Sequence, residues 1–187
     1  MTSVPCKIME TLIKEKHIHF LEETNTITRS QHGFVKGRSC LTNLLEAFED
    51  WTAALDEGYG LDIVYLDYRK AFDSVPHKRL LLRLKACGIL GNLLRWIESF
   101  FTSRLMRVGV RGTFLDWKRV ISGVPQGSVL GPLLFTLFVN ELPKWITTNM
   151  RMFADDTKLW NRFGRTLIVG VYRKIWTIWW IGQINGC

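Results

Sequence analysis

Three carboxylates carry the chemistry that this sequence can suggest. Asp155 and Asp156 stand side by side in "NMRMFADDTKLW" (149–160), and Asp67 ends the β-branched run "LDIVYLD" (61–67). Adjacent carboxylates repel each other and resist burial. If the strands carrying them are neighbours in one sheet, the three groups meet at one edge, and one takes up a proton unless a cation neutralises the cluster. Mg²⁺ prefers hard oxygen ligands and is commonly held by a few carboxylates together with substrate phosphates. Two such ions ~3.5–4 Å apart clamp the attacking and leaving oxygens of an in-line phosphoryl displacement. Taken alone, an acidic pair at a turn is more often a solvated loop end, and a lone Asp a cap or turn residue. Only the joint pattern points to a pair of metal ions and a nucleotide.

Positioning these groups takes both helices and strands. Apolar residues at Ile8, Met9, Leu12, Ile13 and Phe20 fall near helical period in "KIMETLIKEKHIHFLEE". A second amphipathic helix places Leu41, Leu44, Leu45, Phe48, Trp51 and Leu55 on one face, with Gly58 as its C-terminal stop. "LDIVYLD" reads as a buried strand ending at Asp67. Ser74 and Pro76 open a helix with Leu80, Leu84 and Cys87, closed by Gly88. Another starts near Asn92, with Leu93, Trp96, Ile97 and Phe100 inward. "LMRVGV" and "TFLDWKRVI" flank Arg111-Gly112 as a hairpin. "VLGPLLFTLFVNEL" is apolar nearly all round, hence a buried helix, with Pro132 either in its first turn or bending it. The acidic pair then sits at the tip of a last hairpin. Elements in this order predict an α+β fold around an antiparallel sheet.

Bulk properties narrow the class. The 187 residues are 47% hydrophobic and 22% charged, enough for one domain with a sizeable core. The formal net charge is +8, but residues 161–187 hold four of the 25 basic residues and none of the 17 acidic ones. The remainder carries a modest positive excess, which suits a nucleic-acid partner. Cys6, Cys40, Cys87 and Cys187 form no C-x-x-C pair, and no His stands at zinc spacing from them, so they read as reduced thiols. The start has no signal-peptide apolar core, and "TLIVGVYRKIWTIWWIG" is interrupted by Arg173 and Lys174 short of a membrane span. The expectation is an intracellular protein, nuclear or cytoplasmic, not secreted and without a membrane partner.

"IVYLDYRKAFDSVPH", "SGVPQGSVLGPLLFTLFVNEL" and "MFADDTKLW", in this order and spacing, closely resemble reverse transcriptases. "SQHGFVKGRSCLTNLLEAFEDW" and "LGNLLRWIESF" narrow the resemblance to the RNA-directed DNA polymerase of non-LTR, LINE-type retrotransposons of the Jockey-like kind, over about residues 2–160. The resemblance implies a right-hand polymerase: partial fingers over about 1–60, a palm over about 61–160, and no thumb. It implies template-directed nucleotidyl transfer with two Mg²⁺ ions, or Mn²⁺ in their place, acting on deoxynucleoside triphosphates, an RNA template and a DNA primer.

By the same resemblance, Asp67 and Asp155 bind both metals, Asp156 completes the acidic cluster, and the Tyr68 carbonyl adds a ligand. Phe72 takes the position of the sugar-reading aromatic; its alternative is a plain core phenylalanine. Gln126 and Gly127 match the loop contacting incoming nucleotide and template, though Gly127 also suits a helix-entry turn. Lys36 and Arg38 contact template or phosphate, or else form a solvated loop. Arg104, Arg107 and Arg111 are placed to follow a phosphate backbone. His17, His19, His32 and His77 read as surface or core residues rather than ligands. The resemblance further implies a truncated copy, lacking an Arg-Pro-Ile segment before Thr2 and a preceding endonuclease. It stops near Asn161, where a back-translated, frame-shifted tail restores a charged leucine-rich helix, so 161–187 reads as a frameshift product. The alternative to an active fragment is a catalytically inactive retroelement remnant that at most binds nucleic acid.

Overall fold

The computed structural model describes residues 3–102 and 104–162. The expectation of a frameshifted tail therefore falls almost wholly outside the described residues, although Asn161 and Arg162 belong to the last strand. The chain runs α1 (Val4–Glu23), α2 (Cys40–Asp56), β1 (Leu61–Leu66), α3 (His77–Ala86), α4 (Gly91–Thr102), β2 (Leu105–Met106), β3 (Gly109–Val110), β4 (Thr113–Phe114), β5 (Lys118–Arg119), α5 (Gly131–Val139), α6 (Leu142–Trp145), β6 (Asn149–Phe153) and β7 (Asp156–Arg162).

The sheet that matters is antiparallel, in the order β1-β7-β6. β6 and β7 form a tight hairpin in which Phe153 faces Asp156, and β7 pairs on its other side with β1, Leu66 facing Thr157. Packed on this sheet is a core drawn from α3, α4 and α5, in which Leu80, Leu84, Phe101, Phe135, Leu137, Met152 and Leu159 are fully buried. α5 begins with Gly131 and Pro132 and buries seven of its nine residues, as its all-round apolar sequence requires. Pro132 costs it nothing there, because the first-turn N–H groups have no intrahelical partner.

Two expectations are corrected. In α2 the buried face is Asn43, Ala47, Trp51 and Ala54, whereas Leu41, Leu44, Leu45, Phe48 and Leu55 face outward. The small side chains of Ala47 and Ala54 let the helix approach the sheet, and Trp51 packs edge-on against Trp160 of β7 at 5.8 Å. Only Trp51 of the predicted stripe points to the core. Second, β1 is half-exposed, because it stands at one end of the described sheet. The hairpin expected at Arg111-Gly112 is present, β3 pairing with β4 around it, within a broken ribbon in which β2 pairs with β5 and all eight strand residues are exposed. Arg107 covers the rings of Phe114 (4.1 Å) and Trp117 (4.5 Å), and Arg104 that of Phe100 (5.2 Å).

Candidate active site

The register of the sheet brings the acidic groups together. Leu66 pairs with Thr157, so Asp67 follows β1 at the level where Asp156 opens β7, and Asp155 occupies the turn between β6 and β7. The two-residue turn Ala154-Asp155 holds Ala154 at φ +56, a left-handed conformation that a residue with a Cβ adopts at a cost. Burial pushes the Asp155 carboxyl above its ordinary range. A hydrogen bond with its own backbone opposes this, while the charges of Asp156 and Asp67 push it further up. Among the described residues, no three or more acid, histidine or cysteine side chains are arranged to hold a metal ion by themselves. Such an edge fits hard cations that complete their shell with substrate oxygens, since Mg²⁺ usually takes only one or two carboxylates from the protein.

Tyr68 follows Asp67 and turns its ring inward. Burial raises its phenol to about 12, opposed by a hydrogen bond with Thr157. Its carbonyl accepts the Ala71 N–H at 3.2 Å, which leaves that oxygen a second lone pair. Phe72 is half-buried, stacked on Phe135 of α5 with centroids 4.1 Å apart, and meets Phe34 edge-on at 6.4 Å. The turn before α5 is laced to the segment carrying Phe72. Val124 N–H donates to the Phe72 carbonyl (2.9 Å), Gly123 N–H to Val75 (2.8 Å), and the Ser122 hydroxyl to the Asp73 carbonyl (2.9 Å). Gln126 donates from Nε2 to the Asp73 carboxylate (2.9 Å). Gly127 is exposed with φ +76 and open space where a Cβ would stand, so the turn conformation alone calls for glycine here.

Elsewhere, Lys36 is exposed, while Arg38 sends Nη1 to the carbonyls of Thr28, Arg29 and Gln31, gathering the loop that precedes α2. His77 is buried, bonded through Nε2 to the Gly123 carbonyl (2.9 Å) and stacked on Phe101. His32 is buried with Nδ1 bonded to Thr42 (3.0 Å), and burial lowers its affinity for a proton. His17 bonds the Ile13 carbonyl, and His19 lies beside Glu23.

Sequence reasoning passed over three buried polar side chains. Glu10, fully buried on α1, accepts from Val129 N–H (2.7 Å) and Leu130 N–H (3.1 Å) with Oε2 at the start of α5. Asn43 donates to the Met152 carbonyl (3.0 Å), and Lys158 donates to the Asn43 oxygen (2.7 Å). Gln31, also fully buried, reaches the turn at Ala154. Each polar residue occupies a position that helical or loop patterns assign to solvent.

The unit is α+β, with an antiparallel sheet whose β6–β7 hairpin carries Asp155 in its turn and Asp156 at the start of β7. The solved structures agree on the fold. Apo telomerase from Candida tropicalis, truncated from its C-terminal domain, matches with a TM-score of 0.67 at 13% identity, over 95% of this chain and 38% of that one. Telomerase from Candida albicans, in complex with a fragment of telomeric RNA, matches with a TM-score of 0.58 at 15% identity, over 90% and 32%.

The family follows from sequence: the model of the reverse transcriptase (RNA-dependent DNA polymerase) family matches residues 1–168, and the chain belongs to that family. Its relatives include non-LTR retrotransposon enzymes of Drosophila melanogaster. The probable RNA-directed DNA polymerase from transposon X-element is 30% identical over 80% of this chain. The RNA-directed DNA polymerase from mobile element jockey is 33% identical over 81%. The chain spans only 17% of the length of either. No helix among the described residues is long and apolar enough to cross a membrane.

Proposed function

We propose that this chain is the partial fingers (about 1–60) and palm (about 61–160) of a retrotransposon reverse transcriptase, extending a DNA primer along an RNA template. The observation that carries the reading is the β1–β7 register, which sets Asp67 beside the hairpin bearing Asp155 and Asp156. In the reaction a primer 3′-hydroxyl attacks the α-phosphorus of a deoxynucleoside triphosphate, a P–O bond forms, and pyrophosphate leaves. Asp67, Asp155, Asp156 and the Tyr68 carbonyl would hold two Mg²⁺ ions, or Mn²⁺, which when bound lower the hydroxyl's pKa and offset charge on the leaving group. Burial at Asp155 gives the carboxylate less competition from water for a cation, and the acids' mutual repulsion is relieved by binding one.

The protein's own part is orientation. Phe72, propped on Phe135, would form a flat apolar wall against a deoxyribose and exclude a 2′-hydroxyl. Gln126, tethered to Asp73, and the exposed Gly127 turn stand beside that wall, where the incoming nucleotide and template base would pass. Lys36 and Arg38, on the loop that precedes α2, would contact the template.

The test is primer extension on an RNA template with Mg²⁺ and all four deoxynucleotides. It is run with this chain, with a longer protein that contains it, and with Asp155→Asn of each. Extension abolished by Asp155→Asn is expected. Extension by the longer protein alone assigns the isolated chain to the alternative, an inactive remnant that at most binds nucleic acid. Extension by the longer protein that survives Asp155→Asn would remove the acidic edge from the mechanism.

A further inference from the structure

The acidic turn does not stand alone on its hairpin. Ala154 precedes Asp155 in the left-handed region at φ +56, and nothing in a two-residue turn of Ala and Asp favours that conformation as glycine would. A separate segment, 30–33, encloses it. Gln31 Oε1 accepts from Ala154 N–H (2.9 Å) and from Gly33 N–H (2.8 Å), and Gln31 Nε2 reaches the Ala154 carbonyl (3.4 Å). The backbone on either side pairs with β6: Met152 N–H donates to Ser30 (2.7 Å), and His32 N–H to Met152 (2.8 Å). Gly33 lies against the turn so closely that a Cβ there would stand 2.2 Å from Ala154 N. Arg38 Nη1 ties the carbonyls of Thr28, Arg29 and Gln31 behind the segment.

We infer that Gln31 is a positioning residue for the acidic edge: its side-chain amide holds Ala154 in the left-handed conformation and so fixes where Asp155 and Asp156 point. The Gln31 amide is the only polar side chain that the described contacts give the Ala154 backbone, and it serves both the N–H and the carbonyl of that residue. Among the described hydrogen bonds, the Gln31 side chain has no acidic partner; it acts through the backbone one residue before Asp155. The closeness of Gly33 is part of the device, because any side chain there would push the clamp off the turn. The inference rests on the proposed metal-binding role of the edge only for its consequence, not for the clamp itself.

The experiment uses the full chain with Gln31→Met, which keeps length and apolar bulk but no amide, and the double variant Gln31→Met/Ala154→Gly, in which glycine adopts positive φ without help. Amide hydrogen exchange reads the clamp without any metal. Gln31→Met should speed exchange at Ala154 about tenfold more than at Leu159 in the neighbouring strand, the equivalent of one lost hydrogen bond. Equal acceleration at both positions would mean general destabilisation and would overturn the assignment, as would no change at Ala154. Mn²⁺ binding, read by paramagnetic line broadening at residues 153–157, tests the consequence. Gln31→Met should weaken it about tenfold, or ~1.4 kcal/mol, and the added Ala154→Gly should restore most of it. Undiminished Mn²⁺ binding in Gln31→Met, with an unchanged dependence on Asp155, would overturn the positioning role. If the parent chain shows no Asp155-dependent Mn²⁺ binding, the metal reading fails, and the exchange data alone decide the clamp.

Discussion

Removing the carboxylate of Glu10 should unseat the helix beneath the candidate site. Glu10 is fully buried on α1, yet its partners lie across the core, at the start of α5. The N-cap residue of α5, Leu130, has no capping side chain; the Ser128 hydroxyl accepts from Gly131 N–H (2.9 Å). Glu10 Oε2 satisfies the N–H groups of Leu130 and of Val129 just before it, where the helix dipole favours negative charge. In Glu10→Ala the buried Leu130 N–H and the partly buried Val129 N–H lose their acceptor, at ~1–3 kcal/mol each, or about 4 kcal/mol together. Glu10→Gln keeps an acceptor oxygen but loses the charge assistance, about 2 kcal/mol over two bonds. For a chain of this size 1 kcal/mol moves Tm by ~2–4 °C. The predicted falls are thus roughly 8–16 °C for Ala and 4–8 °C for Gln, on that scale. Thermal melting by circular dichroism at pH 7 measures them, with urea midpoints as a check that the m-value is unchanged. An Ala variant melting within about 2 °C of the parent would refute the capping argument, whatever the geometry.

Further outcomes follow from other parts of the chain. Asp155→Asn should raise Tm at pH 7 while abolishing primer extension, because burial holds this carboxyl above its unfolded pKa. A raised acid stabilises the fold only while protonated and loses that contribution as pH rises, so the variant's advantage should fade on acidification; an Asn variant less stable at pH 7 would contradict this. His32 is held neutral chiefly by burial, with Arg38 and Arg151 adding to the shift and Glu46 opposing it. Its folded pKa lies below the unfolded value of about 6.5, so stability should fall as pH drops through that value, and His32→Gln should flatten the profile. Trp160→Ala removes the fully buried ring that Trp51 packs against and should cost ~3–5 kcal/mol in urea unfolding. Phe72→Val should admit ribonucleoside triphosphates in primer extension by a protein that extends; unchanged sugar discrimination would return Phe72 to a packing role alone, against Phe135.

What the sequence made legible was whatever depends on local pattern. Period and punctuation located the helices at Cys40–Asp56, His77–Ala86 and Gly91–Thr102 within a few residues, and the acidic turn fell at the tip of its hairpin. Pattern failed on α2 because periodicity reveals that a helix has an apolar stripe, not which stripe meets the sheet. Close approach to β6 and β7 favours the small Ala47 and Ala54 over the larger leucines, and Asn43 joins that face because Met152 and Lys158 supply its partners. The resemblance to a family named the acids but not what holds them. Glu10 and Gln31 read as solvent-facing in any local window, since their partners lie 119 to 123 residues away.

That separation bears on how such a site is built. A hairpin with Asp at its tip is a local product, set by the pairing of β6 with β7. Its usefulness depends on two distant events: β1 must pair with β7 in the one register that levels Asp67 with Asp156, and the 30–33 segment must close on Ala154. A slip of one residue in the β1–β7 ladder would turn Val64 and Leu66 out of the core, so the apolar side chains that penalise the slip also enforce the acidic alignment. The alignment of the three acids is thus specified by the same burial that stabilises the sheet, except at Ala154, where the backbone is left-handed and a buried glutamine is the group that answers.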